Sequence, residues 1–234
     1  MRLPSARSSR REPAKALIVG REALGHLAAL VLRHCGCEAE LATSLRDARS
    51  LIRKRPPALL VVEAGLEHGD AIGLLRRPST GRQPPASIAL IQLDGSVSSL
   101  RSFELGADQV VRVPFTPDEL AVRTAALLRR LGRQIALART ERFESLELSL
   151  DERVGIRKRL VALTPSENSL LYLFAANAGR TVSVRDLRDM VWGISPGTSD
   201  GAIERRVAGL RRRLADHNDG GFTIHRVDGG FTMG

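Results

Sequence analysis

Between residues 16 and 131, five short strand-like runs are each followed by a stretch of helical periodicity: ALIV (16–19), EAELA (38–42), ALLVVE (58–63), SIALIQL (87–93) and QVVRV (109–113). Strands separated by helices return by crossover, so the alternation predicts a parallel sheet covered on both faces. The intervening helices are expected near 22–33, where Leu24, Leu27 and Val31 recur at helical spacing, then near 45–53, 71–77, 97–105 and 117–131. Pro56-Pro57, Pro84-Pro85 and Pro114 stand at strand boundaries, as expected of residues that cannot donate to a ladder.

The grammar changes after 131. Residues 132–142 form a charged connector or an extension of the preceding helix, and the alternating runs SLEL, VGIR and LVAL then predict a small antiparallel sheet. Thr164-Pro165-Ser166-Glu167 is a capping box with proline at the first helical position, opening a helix through about Asn177 that Gly179 closes. Ser183 to Asp186 start a second helix ending near Trp192, and a third spans about 201–214. The tail FTIHRVDGGFTM reads as two strands joined by a Gly-Gly turn. Three helices and a terminal hairpin make a winged helix-turn-helix. The chain thus divides into a basic tail (1–13, four arginines and two prolines), an α/β domain (14–131), a linker (132–142) and a winged-helix domain (143–234).

Charge narrows the function. A net charge of +10 favours a polyanionic partner, nucleic acid first. The excess is uneven: residues 1–142 carry 23 basic and 14 acidic side chains, and 143–234 carry 13 and 12, so net charge alone would misplace the binding surface. No apolar run approaches the roughly 18 residues of a membrane span, and MRLPSARSSRREP lacks the apolar stretch of a secretory signal, so the expected location is cytoplasmic, away from membrane. Cys35 and Cys37 are too close in sequence for an ordinary structural disulfide. His34-Cys35-Gly36-Cys37 offers soft metal ligands, but packed cysteines at a helix-to-strand corner are the preferred reading, and no metal or cofactor is implied. No constellation of catalytic residues stands out, and the chain is read as a non-enzyme.

The third helix of the second domain can be read from geometry. Ile203, Val207, Leu210 and Leu214 form one apolar stripe that must face the core. At 100° per residue, Arg205, Ala208, Gly209 and Arg212 point the opposite way, flanked by Arg206 and Arg213 on one side and Arg211 on the other. Guanidinium groups around small central residues suit entry into the major groove of duplex DNA.

Motif order and spacing resemble the OmpR/PhoB class of two-component response regulators along nearly the whole chain. LTPSENSLLYLFAANAGRTVSVRDLRDMVWG (163–193) follows the family's helix-turn-helix pattern almost position for position, and IERRVAGLRRRL (203–214) stands at its recognition helix. LGADQVVRVPF (105–115) and PDELAVRTAALLRR (117–130) match the end of its receiver. The resemblance implies a flavodoxin-like (βα)5 receiver followed by a winged-helix DNA-binding domain, promoter DNA as partner, tandem half-sites, and contact with RNA polymerase through the 193–200 loop. It places Arg205 and Arg206 near bases, and Arg211 and the Trp192 indole at phosphates.

The departures are local. Relatives place an acidic pair after the first strand and an aspartate at the end of the third, which hold Mg²⁺ and accept the phosphoryl group; here Gly20, Arg21 and Glu63 stand there. Gln92 replaces the hydroxyl residue ending the fourth strand, and Val113 the lysine before Pro-Phe. We expect Arg21 to pair with Glu63, no Mg²⁺, and a receiver that has lost phosphotransfer. On the family's dimerisation face Asp108, Glu119 and Arg123 match, Gln109 replaces an acid, and Arg101 lies nearby; a homodimer is expected. The wing is one residue shorter than the family's and carries Asp228 where an arginine is usual, leaving Arg226 as the substitute. The reading is a DNA-binding transcriptional regulator acting without phosphorylation. Its alternatives are an adaptor that titrates a partner regulator and a conventional phosphorylation-dependent regulator.

Overall fold

The computed structural model describes residues 13–66, 71–76, 84–92, 99–133, 135, 137–143, 145–151, 153–156, 159–192, 199–215, 217 and 221–234. Strands β1 (Ala14–Val19), β2 (Cys37–Ala42), β3 (Leu59–Glu63), β4 (Ala86–Gln92) and β5 (Gln109–Val113) pair in parallel in the order β2-β1-β3-β4-β5. All five residues of β3 are buried, as a central strand between two helical layers requires, whereas edge strand β2 exposes Glu38 and Glu40. The crossovers carry α1 (Glu22–Arg33), α2 (Leu45–Lys54), α3 (Ser99–Glu104) and α4 (Pro117–Arg130). The helix expected at 71–77 is instead a 3₁₀ turn, Ala71–Leu75, which buries Ala71, Ile72 and Leu75. Gly73 at its centre weakens an α-helix that short, and packing of three side chains onto the sheet decides the geometry.

The connector expected at 132–142 is shorter. The α4 helix stops at Arg130, with Gly132 at φ 74°, and Thr140–Phe143 forms β6. It pairs with β7 (Leu146–Ser149), followed by β8 (Arg153–Ile156) and β9 (Arg159–Ala162) in an antiparallel meander. The sequence TERF has too few apolar residues to announce a strand; backbone pairing with β7 supplies what its side chains do not. Next comes α5 (Pro165–Ala176), whose capping box is complete: Thr164 accepts the Glu167 N–H, and Glu167 accepts the Thr164 N–H at 2.8 Å. A short α6 (Val184–Leu187) runs on through a π turn, Arg188–Trp192, and α7 spans Asp200–Ala215.

Strands β10 (Val182–Ser183), β11 (Ile224–Val227) and β12 (Gly230–Met233) form the wing sheet in the order β10-β12-β11. Its turn is Asp228-Gly229, not Gly-Gly, because Gly230 already belongs to β12. A Cβ on Gly230 would meet the Val182 carbonyl oxygen at 2.2 Å, so close approach of β10 demands this glycine. Gly229, at φ 73°, supplies the left-handed position of the turn.

The two domains share one apolar cluster that runs from the α1–α4 side of the parallel sheet into α5, α7 and the wing. Polar contacts also join α1 and the residues that follow it to the second half of the chain. Asn177 Nδ2 donates to the Ala23 carbonyl at 3.2 Å, and Arg33 pairs with Glu141 at 3.3 Å. His34 is fully buried between Ala138 and Tyr172. The Ala138 carbonyl can only accept, so Nδ1 donates to it at 2.7 Å and Nε2 accepts from the Tyr172 hydroxyl at 2.8 Å. The neutral imidazole thus has both ring nitrogens satisfied, one as donor and one as acceptor.

Burial lowers the His34 pKa and outweighs the raising effects of the Ala138 bond and Glu141. His26, also on α1, is lowered by burial and by nearby Arg180. A histidine whose folded pKa is depressed favours the folded state above its unfolded pKa, and that stability is lost as pH falls below about 6.5. Urea unfolding of the wild type is therefore expected to weaken between pH 7 and 5 more steeply than that of His34→Asn. At pH 7, Tyr172→Phe is expected to cost about 1–3 kcal/mol, because it strands a buried acceptor.

Candidate nucleic-acid interface and receiver pocket

Helix α7 begins at a turn in which Ser199 accepts the Ala202 N–H through its hydroxyl at 3.3 Å. Ile203, Val207, Leu210 and Leu214 are buried, and Arg205, Arg206, Ala208, Arg211, Arg212 and Arg213 are exposed. Among the described residues, Arg205, Arg206, Arg211 and Arg212 have no carboxylate within ion-pair distance. A Cβ on Gly209 would meet nothing within 4 Å, so this glycine faces open space. Arg213 is drawn to the capping box, its Nε 3.1 Å from Glu167 Oε1. Arg188 of the π turn pairs with Asp200 at the start of α7, fixing the two helices against each other.

The wing is tied to the same helix. Arg226 Nη1 lies 3.1 Å from Glu204 Oε1, with its guanidinium 5.0 Å from the Phe231 ring centroid. Glu204 is an acid among arginines on α7, and only the fold brings it to β11. Asp228 is exposed at the wing tip. A groove of about 480 Å³ between α7 and β11 is edged by Arg211 and Arg212. Trp192 ends the π turn, with its side chain outside the described residues, as are 193–198 of the expected polymerase-contact loop and 1–12 of the tail.

In the receiver, Gly20 and Arg21 follow β1, and Glu63, Gln92 and Val113 end β3, β4 and β5. Glu63 is only 2% exposed. Its carboxylate accepts the Arg21 backbone N–H at 2.8 Å on Oε2 and the Arg21 Nε–H at 2.8 Å on Oε1. A Cβ on Gly20 would lie 2.9 Å from Glu63 Oε2, so the longer acid occupies room that an acidic side chain at 20 would need. Arg21 also reaches the second domain, with Nη1 3.5 Å from Asp186 and 3.6 Å from Asp189. Burial pulls the Arg21 pKa down, but the charges of Glu63, Asp186 and Asp189 prevail and hold it above its ordinary value. Gln92 Nε2 is buried without a hydrogen-bond partner among the described residues, and Val113 is apolar and buried. A hard dication wants several oxygens, whereas at the end of β3 the described residues offer Glu63 alone, each of whose oxygens already accepts from Arg21, and the Arg21 cation stands over it; the residues do not fit Mg²⁺.

On the α3–α4 face, Arg101 pairs with Glu104 at 3.5 Å and Arg123 with Glu119 at 3.0 Å, each within its own helix. Asp108 turns toward β4 and accepts from the Ser87 N–H and hydroxyl at 2.9 and 3.0 Å, so it is engaged inside the receiver, not displayed as an open charge. Gln109 begins β5 opposite Ile88. The unanticipated feature is apolar: Leu100, Phe103 and Val122 are 69%, 50% and 51% exposed. Single apolar residues among charges carry no periodic signal, so only exposure in the fold identifies them. Cys35 and Cys37 are buried, with burial pushing their thiols up to about 12 and about 11.

The carboxy-terminal transcriptional regulatory protein family matches residues 158–230. The response regulator MprA of Mycolicibacterium vanbaalenii is 31% identical over 198 residues, covering 83% of this chain and 85% of its own. The phosphate regulon transcriptional regulatory protein PhoB of Rhizobium meliloti is 32% identical over 208 residues, covering 86% and 90%. The Thermotoga maritima regulator DrrB, an OmpR/PhoB homologue of known structure, aligns over 94% of this chain and 99% of its own, with 21% identity and a TM-score of 0.45. With a parallel five-stranded receiver joined to a winged helix, and that extent of similarity to both relatives, the chain belongs to the OmpR/PhoB-type response regulators.

Proposed function

We propose that this regulator binds promoter DNA sequence-specifically without aspartyl phosphorylation, as a homodimer on tandem half-sites. The observation that carries the DNA reading is the exposed face of α7, where four arginines without carboxylate partners among the described residues surround Ala208 and Gly209. Such a face admits close approach to base edges, with guanidinium groups placed to grip guanine or phosphate. Independence from phosphorylation is supported by the Arg21–Glu63 pair, in which both carboxylate oxygens accept from the protein's own donors.

A symmetric dimer through α3 and α4 is supported by exposed Leu100, Phe103 and Val122, which offer apolar surface for burial against a second copy. RNA polymerase contact falls to 193–200, where Ser199 and Asp200 are described. A second reading, an adaptor that titrates another regulator, is favoured by the Arg226–Glu204 tie and by Asp228 at the wing tip, both of which weaken wing contact with DNA.

In gel shifts against promoter DNA, Arg205→Ala is expected to cost about 1–3 kcal/mol and relax specificity; Arg211→Ala should weaken all sequences alike and reduce the salt slope by about one. An adaptor would show neither change. Incubation with radiolabelled acetyl phosphate and Mg²⁺ is expected to leave Glu63 unlabelled and promoter affinity unaltered, and Mg²⁺-dependent labelling would restore the conventional mechanism. In sedimentation experiments Phe103→Asp should shift the protein toward monomer while the isolated fold keeps its melting temperature.

A further inference from the structure

We propose that the cavity between the receiver and the winged helix binds a small organic anion with an apolar body and at least two negative charges, a phosphate ester or dicarboxylate. The cavity measures about 690 Å³, within the range of small-molecule sites. Four guanidinium-bearing residues line it, Arg21, Arg46 and Arg49 from the receiver and Arg185 from α6, against the single carboxylate of Asp186. Arg21 and Arg185 are engaged with acidic groups. Arg46 and Arg49 are exposed, stand three residues apart on one side of α2, and have no carboxylate within ion-pair distance among the described residues.

Ser44, Leu45 and Arg46 line it from the start of α2, where Ser44 caps the Asp47 N–H and its hydroxyl donates to the Asp47 carboxylate, so the cationic side chains, not the helix end, supply the attraction. Leu45 and Leu66 supply apolar wall. Convergent cations with an apolar wall select a molecule that is both anionic and partly nonpolar, and a bare inorganic ion would leave that wall wet. The occupant bridges α2 of one domain to α6 of the other. It reaches Arg21 beside Asp186, so binding reports directly on the contact that joins the receiver pocket to the winged helix.

The test uses the full chain and 1-naphthyl phosphate, a dianion with a fused-ring body, titrated by calorimetry alongside neutral 1-naphthol. Saturable binding of the phosphate is expected, weaker for the naphthol by about tenfold or more because the charge-assisted hydrogen bonds are lost. The exposed double variant Arg46→Gln/Arg49→Gln should melt as the wild type does and lose about tenfold or more in affinity, and Arg46→Lys/Arg49→Lys should retain most of it. Absence of saturation up to about 10 mM, or undiminished affinity in the glutamine variant, would overturn the site. So would promoter affinity falling in that variant as much as probe affinity, because the two arginines would then serve DNA phosphates. Probe binding is read without DNA, so its outcome is independent of the promoter experiments above.

Discussion

The guanidinium of Arg21 is the group on which the arrangement of the molecule turns. One side chain caps the buried carboxylate of Glu63 and touches two carboxylates of the other domain. A buried acid this close to full enclosure is tolerable only while its partner stays, since removing one member of such a pair leaves an uncompensated charge and costs about 3–5 kcal/mol. Gly20 belongs to the same solution: it clears the volume that Glu63 fills. Gly20, Arg21 and Glu63 therefore fit one another sterically and electrostatically.

The same contact has a consequence at distance. Asp186 and Asp189 lie on the helix and π turn beside α7, so the receiver pocket is joined by direct ionic contact to the platform of α7. The α1–α5 seam reinforces that coupling with apolar packing and with the buried His34–Tyr172 bond. Neither contact covers the arginine face of α7, which stays exposed while the two domains are joined. Domain contact and an exposed arginine face therefore coexist in one conformation, and release of the winged helix is not needed to uncover that face.

Much of this was legible in residue order. Five apolar runs alternating with helices sufficed for the parallel sheet, and the Thr164–Glu167 capping box located the start of α5 to the residue. Strand β6 was not legible, because TERF pairs through its backbone and shows little apolar alternation. The 71–77 helix became a 3₁₀ turn because five residues with a central glycine follow the packing surface instead of their own propensity. At the sites, the Arg21–Glu63 pair followed from charge reversal at matched positions. Its extension to Asp186 and Asp189 did not, since contacts more than 160 residues apart in sequence are set by how the domains meet. Arg213 and Arg226 looked like free cations along the chain, and tertiary proximity to Glu167 and Glu204 claims both.

Those two ties sharpen what α7 has left to read with. Arg205 and Arg212 are seven residues apart, nearly two full turns, so they share a face at about 10 Å spacing along the axis. Between them stand Ala208 and Gly209, which project little or nothing from the backbone. On a helix entering a major groove, small central residues let the axis sit deeper than a helix studded with long side chains. On the proposed DNA reading, guanidinium groups at either end would reach bases about three steps apart, given a rise of about 3.4 Å per base pair. Discrimination on such a surface rests on two separated contacts and on groove shape between them, so sequence preference should concentrate at the ends of each half-site and relax at its centre.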